Sequence, residues 1–438
     1  MTQTQNKTQG SLVAIVTMMF LYAMISFVTN LAAPIGVVMK NDPEVGGSNF
    51  LAMMGNFMNF FAYLFMGIPA GKMLTRVGYK KTAMIGVATG LVGVLVQFIS
   101  GFEALVGYSD NVIYLLGAFI SGMSVCMLNT VVNPMLNLIG GGGKRGNQLN
   151  MIGGTFNSLA GTLTPMFVGA LIGEVTRETD FVDINLVLYI AMAVFAGALI
   201  ALAFIPIRDP EMGKVTAATK FEHSPWNFRH FVLGAIGIFI YVGVEVGIPG
   251  TLNFYLSGTT EKGAGLLANA AAIGGLVAGT YWLLMLVGRI IGGAIASKVS
   301  SKTMMIVVSC VGILLILGAM AIGKETTSPM PVFTGSGFEM ATVPVSAMLL
   351  VLCGLCTSVM WSCVFNLATE GLGKYTAAAS GIFMMMVVGG GVLPLIQNAI
   401  ADSAAGYMIS YIVPLLGLAY LLYYAVAGCK NVNEDIPV

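Results

Sequence analysis

The stretch NTVVNPMLNLIGGGGKRGNQLNMIGGTFNS, residues 129–158, joins two long apolar segments through a basic, glycine-rich turn. Asn129 and Asn133 are four residues apart, so a helix places both side chains on one face. Asn150 and Asn157 are seven apart and share a face of the following helix. An unpaired amide in hydrocarbon costs roughly 2–7 kcal/mol, so these faces must point at protein, water or a ligand. Two interpretations stay open: hydrogen bonds between helices, which asparagine provides in membrane bundles, or contact with a ligand.

The composition around this stretch is that of a membrane protein. Of the 438 residues, 57% are hydrophobic and 9% are charged, whereas soluble domains carry about 25% charged residues. The mean hydropathy is +0.88. At about 20 residues per span, this length predicts about twelve transmembrane helices. The net charge of +1 is uninformative about nucleic acid, but no basic patch supports nucleic-acid binding, and none is predicted. The six cysteines lie mostly in apolar runs, and no metal-ligand spacing occurs, so no metal site is predicted.

The order of apolar and polar segments predicts an all-α membrane protein built from two six-helix bundles. The longest polar connection, 207–228, separates an N-terminal bundle, 1–206, from a C-terminal bundle, 229–438. The turn GKMLTRVGYK at 71–80 is echoed by GAIASKVSSK at 293–302, with the same orientation, which favours a parallel duplication. The twelve predicted spans are 11–39, 50–73, 82–101, 111–138, 149–173, 186–206, 229–257, 266–297, 304–322, 344–367, 376–400 and 407–428.

Positive charges between these spans are distributed asymmetrically. Fifteen Lys and Arg residues lie on the side of the two chain termini, four lie on the opposite side, and Arg289 lies in a span. This bias predicts that both termini are cytoplasmic in a multi-pass protein of the bacterial inner membrane. The first apolar run is too long for a signal-peptide core and lacks a cleavage site, so it is interpreted as the first span.

Several motifs, taken in order, resemble one family of transporters. GIPAGKMLTRVGYKK at 67–81 resembles the major-facilitator signature between spans two and three, although Thr75 stands where an acid is usual. The remaining motifs resemble the fucose/galactose/hexose symporter branch of that superfamily. They are Asn133-Pro134 with TFNS at 155–158, YVGVEV at 241–246, GRIIGG at 288–293, and EGLGKYT at 370–376 followed by Gly389-Gly390 and Leu393-Pro394.

The resemblance implies the major-facilitator fold and transport of a sugar by alternating access at a cavity near the midplane. Arg76, Arg289 and Lys374 are predicted to act in gating. Proton-linked members of the family carry an acid in the first span and another in the fourth. The resemblance places Asn30 and Asn129 at those positions in this chain. Neither side chain can titrate, so coupling in this chain must use another group or be absent.

Glu245 is the one acid deep in a predicted span. An intramembrane carboxylate is expected to be functional. Three interpretations stay open. It binds and releases a coupling proton; it forms part of a sodium site with carbonyl groups exposed near Pro249; or it is a structural partner, for example of Arg289. No cofactor other than such a coupling H⁺ or Na⁺ is predicted.

A sugar site needs neutral amides for the hydroxyl groups and an aromatic ring for the apolar face. The spans supply both, and their scarcity of charge argues against phosphorylated or carboxylated substrates. The predicted substrate-binding residues are Asn30, Asn129, Asn133, Asn157, Asn253, Asn366, Gln397 and Trp361. Further aromatic candidates are Tyr22, Tyr63, Tyr281 and Trp282.

Together these features predict a monomeric secondary transporter that imports a neutral hexose or 6-deoxyhexose, with cation symport favoured. Two related alternatives are a sugar uniporter and an efflux transporter of other small neutral molecules, which the 30 methionines keep open. A transporter-like sensor or a membrane-embedded enzyme is the alternative of another class. An enzyme needs a polar dyad or a metal cluster; the spans contain no paired acids, and both histidines, His223 and His230, flank the central polar connection.

Overall fold

The computed structural model of the chain describes residues 2–41, 46–102, 108–139, 143–172, 181–205, 223–258, 263–266, 270–296, 298–372, 375–433 and 435–436. Helices dominate these residues. In chain order they are α1 (Thr2–Asn41), α2 (Asn49–Ala52), α3 (Met54–Ser100), α4 (Tyr108–Ile139), α5 (Gly143–Ile172), α6 (Asn185–Phe204), α7 (Arg229–Ser257), α8 (Ala270–Ile295), α9 (Ser301–Ile322), α10 (Val345–Thr357), α11 (Met360–Thr369), α12 (Thr376–Met386), α13 (Gly389–Asp402), α14 (Gly406–Ser410) and α15 (Ile412–Tyr423).

The predicted helical membrane architecture is confirmed. In the part of the chain that the structure describes, ten helical segments are long and apolar enough to cross a membrane. The second predicted span, 50–73, is formed by α2 and the beginning of α3, and the fifth, 149–173, lies in α5. The predicted linker falls mainly on 206–222, which lies outside the described residues, so the division into bundles stays a prediction. Residues 1–206 are called the first half of the chain, and residues 229–438 the second half.

Spans two and three run through α3 and are separated by a turn at Gly78. This glycine has φ 84° and ψ 173°, a backbone conformation that L side chains rarely adopt. Glycine therefore allows the chain to reverse here without strain. The turn carries the motif that resembles the major-facilitator signature, and it marks one end of the helical bundle, which we call the Gly78 end.

Spans ten and eleven are each broken near their middle. The tenth is interrupted between α10 and α11, and the eleventh between α12 and α13. The second break comes directly before the glycine run that begins at Gly389. A Cβ atom at Gly389 would lie 1.8 Å from the carbonyl oxygen of Phe239, so α13 approaches α7 as closely as backbones allow. The glycines thus combine a helix break with close packing.

Two seams join the halves. Helix α5 of the first half packs along α8 of the second, and α3 packs against α12 and α13. The seam between α5 and α8 needs small residues, because a Cβ atom at Gly279 would lie 3.1 Å from the carbonyl oxygen of Thr162. The helices of both seams carry the residues of the candidate site.

An element that the sequence analysis did not anticipate lies between α9 and α10. Residues Thr327–Phe333 (β1) and Phe338–Pro344 (β2) form an antiparallel hairpin, with Phe333 opposite Phe338 and Thr327 opposite Pro344. β1 lies along α8, and both strands contact α10. The two prolines within β1, Pro329 and Pro331, mask its strand signal, since proline is unfavourable inside a ladder.

Candidate functional site

A polar stripe runs along α1 at four-residue steps through Tyr22, Ser26 and Asn30. The Asn30 amide donates to the Ser26 carbonyl at 2.9 Å and to the Ser26 hydroxyl at 3.1 Å. The Tyr22 hydroxyl donates to the side-chain oxygen of Asn133 on α4. Four-residue spacing places all three groups on one face of the helix, so α1 directs this stripe into the bundle.

Helix α4 contributes two of the predicted amides. The Asn133 amide donates to the Asn129 carbonyl at 2.9 Å while its oxygen accepts from Tyr22. The Asn129 amide donates to the hydroxyl of Tyr63 on α3 at 2.7 Å. Both residues therefore link helices in the structure, and their contact with a ligand stays a prediction. The bond from the Asn129 amide to Tyr63 also fixes the orientation of the Asn129 carboxamide oxygen.

Helix α5 completes the first half of the cluster. The Asn157 amide donates to the Tyr22 carbonyl at 3.1 Å. One turn further, a Cβ atom at Gly161 would lie 3.3 Å from the Asn30 amide nitrogen and 3.4 Å from the indole ring of Trp282 on α8. The absence of a side chain at Gly161 therefore lets an amide of the first half and an aromatic ring of the second come together.

An ion pair supplies the charges at this junction. The Arg289 guanidinium on α8 lies 3.3 Å from the Glu245 carboxylate on α7, and the two side chains are 18% and 13% exposed. Its other terminal nitrogen donates to the Gly154 carbonyl on α5 at 2.7 Å. The pairing of Glu245 with Arg289, which belongs to one of the three interpretations of this acid, is thus observed, and the other two stay open. Arg289 also connects the two halves, because Gly154 belongs to the first.

Four of the predicted amides share an intermediate exposure inside the bundle. They are Asn30, Asn129, Asn133 and Asn157. On α5, the side chains that face outward are apolar, as Phe156 and Leu163 illustrate. Asn157 therefore lies on another face of α5 from these side chains, and it bonds to α1. Partly exposed neutral donors and acceptors, with one charge of each sign beside them, can bind a small uncharged polar molecule.

The other predicted binding residues lie elsewhere. Trp361 packs at 6.2 Å against Tyr241, one turn from Glu245, so it borders the cluster. Asn253 and Gln397 are buried within the second half. Gln397 faces α7, since a Cβ atom at Gly247 would lie 2.7 Å from its oxygen. Asn366 is exposed near the end of α11 and is not brought to the cluster.

The three predicted gating residues differ in what the structure shows of them. Arg289 is part of the central ion pair. Arg76 is exposed at the Gly78 end and lies far along α3 from the cluster. Lys374 lies outside the described residues. The gating role of all three stays a prediction.

A second polar network, which the sequence analysis missed, joins the halves at the opposite end of the bundle. It is centred on Asp402 at the end of α13, and we call this end the Asp402 end. One carboxylate oxygen accepts from the Asn49 backbone at 2.8 Å and from its side chain at 2.6 Å; the other accepts from the Ser48 hydroxyl and the Phe50 backbone, both at 2.8 Å. The carboxylate thereby caps the beginning of α2.

Lys40 and Tyr407 extend this network. The Tyr407 hydroxyl donates to the Asn49 side-chain oxygen at 2.7 Å and accepts from the Lys40 ammonium at 2.7 Å. The ammonium also lies 5.5 Å from the ring centroids of Phe254 and Tyr407. These residues come from both halves, so the network holds the halves together at the Asp402 end. In the sequence, the residues of this network lie at the ends of predicted spans, near charged residues of both signs. That pattern is the signal from which the network could have been predicted.

The fold and these two networks define a class of protein. Membrane-spanning helices in two halves meet around a half-buried polar cluster, and a polar network at one end joins the halves. This is the architecture of a membrane transporter in which access to a central site is controlled at the bundle ends.

Comparison with known proteins agrees with this class. Residues 15–427 match the Major Facilitator Superfamily. The chain therefore belongs to the Major Facilitator Superfamily, and it is a multi-pass membrane protein with the twelve-helix fold of that superfamily.

Relatives and solved structures extend over almost the whole chain. It is 29% identical over 439 residues to the glucose/galactose transporter of Brucella abortus biovar 1, covering 98% of this chain and 97% of the relative. It is 22% identical over 405 residues to the L-fucose-proton symporter of Escherichia coli, covering 86% and 85%. The structure of the transporter FucP in the outward conformation superimposes with a TM-score of 0.69 at 17% identity, covering 95% and 98%. The predicted family resemblance is confirmed.

Proposed function

We propose that the chain is a secondary transporter that imports a neutral monosaccharide by alternating access and cation symport. The observation that carries this proposal is the cluster in which the partly exposed amides Asn30, Asn133 and Asn157, on three helices, lie beside the Glu245–Arg289 pair. The names of the relatives, transporters of glucose, galactose and fucose, support the same substrate class. They also favour a transporter over an enzyme.

The chemistry of the cluster fits a neutral polyhydroxylated substrate. Each carboxamide offers a donor and an acceptor, which is what a sugar hydroxyl requires. The Trp282 ring, next to Asn30 across Gly161, offers a surface for the apolar face of the sugar. The two charges of the cluster already neutralise each other, so a charged substrate would leave one charge uncompensated in a medium of low dielectric constant.

Coupling is assigned to Glu245. A cation that binds to its carboxylate competes with Arg289 for the negative charge. Arg289 also bonds to the Gly154 carbonyl across the seam between α5 and α8. A change in the charge of the Glu245 carboxylate therefore acts through Arg289 on a contact between the two halves. A proton neutralises the carboxylate and weakens its hold on Arg289, whereas Na⁺ would need additional oxygen ligands. This places coupling in the second half, because Asn30 and Asn129 cannot titrate.

We place the protein in the bacterial inner membrane as a monomer, with both termini in the cytoplasm. The positive-inside bias supports this orientation, since described cations such as Arg76, Lys80 and Lys302 lie at the Gly78 end. The Asp402 end then faces the periplasm. In this orientation the Asp402 network closes the periplasmic side, and the cluster is poised to exchange substrate with the cytoplasm.

Transport by purified protein in proteoliposomes tests the proposal. Labelled glucose, galactose and fucose are offered under an imposed proton gradient, an imposed sodium gradient, or neither. Accumulation above equilibrium under one gradient supports symport of that ion. Equilibration without accumulation identifies a uniporter, and failure to move or bind any of the three sugars, with transport of an unrelated neutral compound, identifies the efflux alternative.

The Asn157→Ala substitution is expected to weaken sugar binding. Loss of one neutral hydrogen bond costs about 0.5–1.5 kcal/mol, which corresponds to a roughly two- to tenfold increase in Kd. Titration of the purified protein with the transported sugar measures this change. Asn366→Ala is the matched control, because Asn366 is an exposed amide outside the cluster and its loss should leave Kd unchanged. Equal Kd values for native protein and Asn157→Ala would remove Asn157 from the site.

The Glu245→Gln substitution is expected to abolish accumulation while sparing exchange. Glutamine keeps the shape of the side chain but binds no coupling cation, so an imposed gradient can no longer drive uphill uptake. Counterflow of labelled sugar against unlabelled sugar needs alternating access alone and should persist. Gradient-driven accumulation by the Glu245→Gln protein would show that coupling resides elsewhere. Loss of both activities would point to a structural role for the carboxylate.

A further inference from the structure

The hairpin between α9 and α10 has an unusual distribution of side chains. Alternate residues point to opposite faces of a strand. The inner face carries Met330, Val332 and Val343, which are 5%, 1% and 0% exposed. The outer face is largely apolar, because Phe338 and Met340 are each 64% exposed there. Thr342 is an exposed polar residue of this face, and the exposed Glu339 lies between Phe338 and Met340 in the sequence. A hairpin between protein and water would present polar residues on its outer face, so this one faces something other than water.

Prolines complete the outer face and change the hydrogen-bonding edge of β1. The ladder continues beyond both strand ends: Val345 donates to the Thr326 carbonyl at 2.8 Å, and Thr334 to the Gly337 carbonyl at 3.0 Å. Hydrogen-bonded and non-hydrogen-bonded pairs alternate along an antiparallel ladder. The backbone N–H and C=O groups of the even-numbered residues of β1 therefore bond to β2, and those of the odd-numbered residues point away from β2. Pro329 and Pro331 are odd-numbered, exposed, and have no N–H group.

The next outward N–H group has a partner within the helix bundle. Phe333 donates to the Thr280 hydroxyl at 3.1 Å. From residue 329 to residue 333, the edge of β1 thus presents no unpaired donor. Such an edge approaches the apolar part of a membrane at lower cost, because only its carbonyl groups still need water or head groups as partners, and each unsatisfied backbone group in hydrocarbon costs several kcal/mol. The same feature prevents pairing with a strand of another protein.

The tip of the hairpin lies at the depth of membrane-spanning residues. Thr280 is ten residues into α8, which corresponds to about 15 Å along the helix. At the tip, a Cβ atom at Gly335 would lie 3.7 Å from the terminal methyl of Met166 on α5. The next residue of α5, Phe167, is an apolar residue that is 38% exposed. The tip of the hairpin therefore lies close to an exposed apolar side chain of the helix bundle.

We infer that the outer face of this hairpin, formed by Pro329, Pro331, Phe338 and Met340, inserts into the membrane leaflet at the Asp402 end. Its partner is the boundary between phospholipid head groups and acyl chains. The inner face holds the hairpin on α8 and α10, and the tip reaches the seam between α5 and α8. The hairpin is an interfacial anchor of the second half.

Spin-label accessibility in vesicles of phosphatidylethanolamine and phosphatidylglycerol tests this inference. Cys310 and Cys429 are replaced by serine, since the other four cysteines are buried and unreactive. Single cysteines are then introduced as Phe338→Cys and Met340→Cys and labelled. Leu314→Cys, at a residue 69% exposed in the middle of α9, is the lipid reference, and Glu325→Cys, beyond the end of α9, is the aqueous reference.

Labels at residues 338 and 340 are expected to collide with oxygen several-fold more often, relative to a water-soluble nickel chelate, than the label at 325. Their ratio should approach that of the label at 314. A ratio equal to that at 325 would place the hairpin in water and overturn the inference. Low collision rates with both reagents would show that a protein surface, such as a second copy of the chain, covers this face, and would overturn it as well.

Discussion

Arg289→Ala is expected to destabilise the protein and to stop transport. The substitution leaves the Glu245 carboxylate without its cation at 3.3 Å and the Gly154 carbonyl without its donor at 2.7 Å. Breaking a buried ion pair from one side costs about 3–5 kcal/mol. The two side chains are 18% and 13% exposed, so we expect about 2–4 kcal/mol after some solvation of the remaining charge.

Thermal unfolding in detergent micelles and uptake in proteoliposomes measure the two effects. The double variant Arg289→Ala/Glu245→Ala should recover most of the lost stability, because no unpaired charge remains, but should not recover cation-driven accumulation. Arg76→Ala is the matched control for stability. It removes an exposed arginine, and surface substitutions usually change stability by less than about 0.5 kcal/mol.

The outcome separates two roles of the pair. Equal unfolding temperatures for Arg289→Ala and the native protein would show that the pair does not hold a buried charge. Restored stability together with restored accumulation in the double variant would show that the pair is structural and that coupling uses another group. Restored stability with equilibrative uptake alone would assign coupling to this pair.

Much of the architecture could be predicted from sequence because hydrocarbon leaves few alternatives. Only helices or closed barrels satisfy all backbone groups in lipid, so apolar runs of spanning length predict the helices directly. The same constraint explains why intramembrane amides and charges were informative. Asn133, Asn157 and Glu245 drew attention because each is costly to bury alone, and the structure places all three near one junction.

The partners of these residues were less predictable. The Gly154 carbonyl and the Tyr22 carbonyl accept bonds from Arg289 and Asn157, yet every residue carries a carbonyl and the sequence marks none of them. Asn366 shows the converse error. It is an amide in a predicted span, but helical phase and the position of the helix end leave it exposed. Chemistry alone does not distinguish it from Asn157.

The hairpin and the Asp402 network were missed for a different reason. Both depend on contacts between segments far apart in sequence, such as Asp402 with Ser48 and Lys40 with Tyr407. The charges at the ends of spans agree equally well with a simple loop in water. In β1, the two prolines argue against a strand, although at alternate outward positions they leave the ladder intact.

The Asp402→Ala substitution is expected to open the bundle at the Asp402 end. One carboxylate accepts two bonds from Asn49 and one each from Ser48 and Phe50, at 2.6–2.8 Å. Water replaces part of these bonds when the halves separate, so we expect the closed state to lose about 1–3 kcal/mol. This loss changes the ratio of open to closed molecules by roughly 5- to 150-fold.

A cysteine at a buried contact between the halves measures this ratio. Gly250 on α7 is suitable, since a Cβ atom there would lie 3.2 Å from the flexible terminal methyl of Met53 in the first half. A membrane-impermeant thiol reagent applied at the Asp402 end should label Gly250→Cys slowly. Asp402→Ala should accelerate this reaction by the same factor by which it increases the population of open molecules.

The chain without Gly250→Cys provides the background rate. Glu325→Ala removes an exposed carboxylate outside the network and should leave the rate unchanged. An unchanged rate in Asp402→Ala would mean that the network does not hold this end closed, and the closure would then have to reside in the apolar contacts around Phe254.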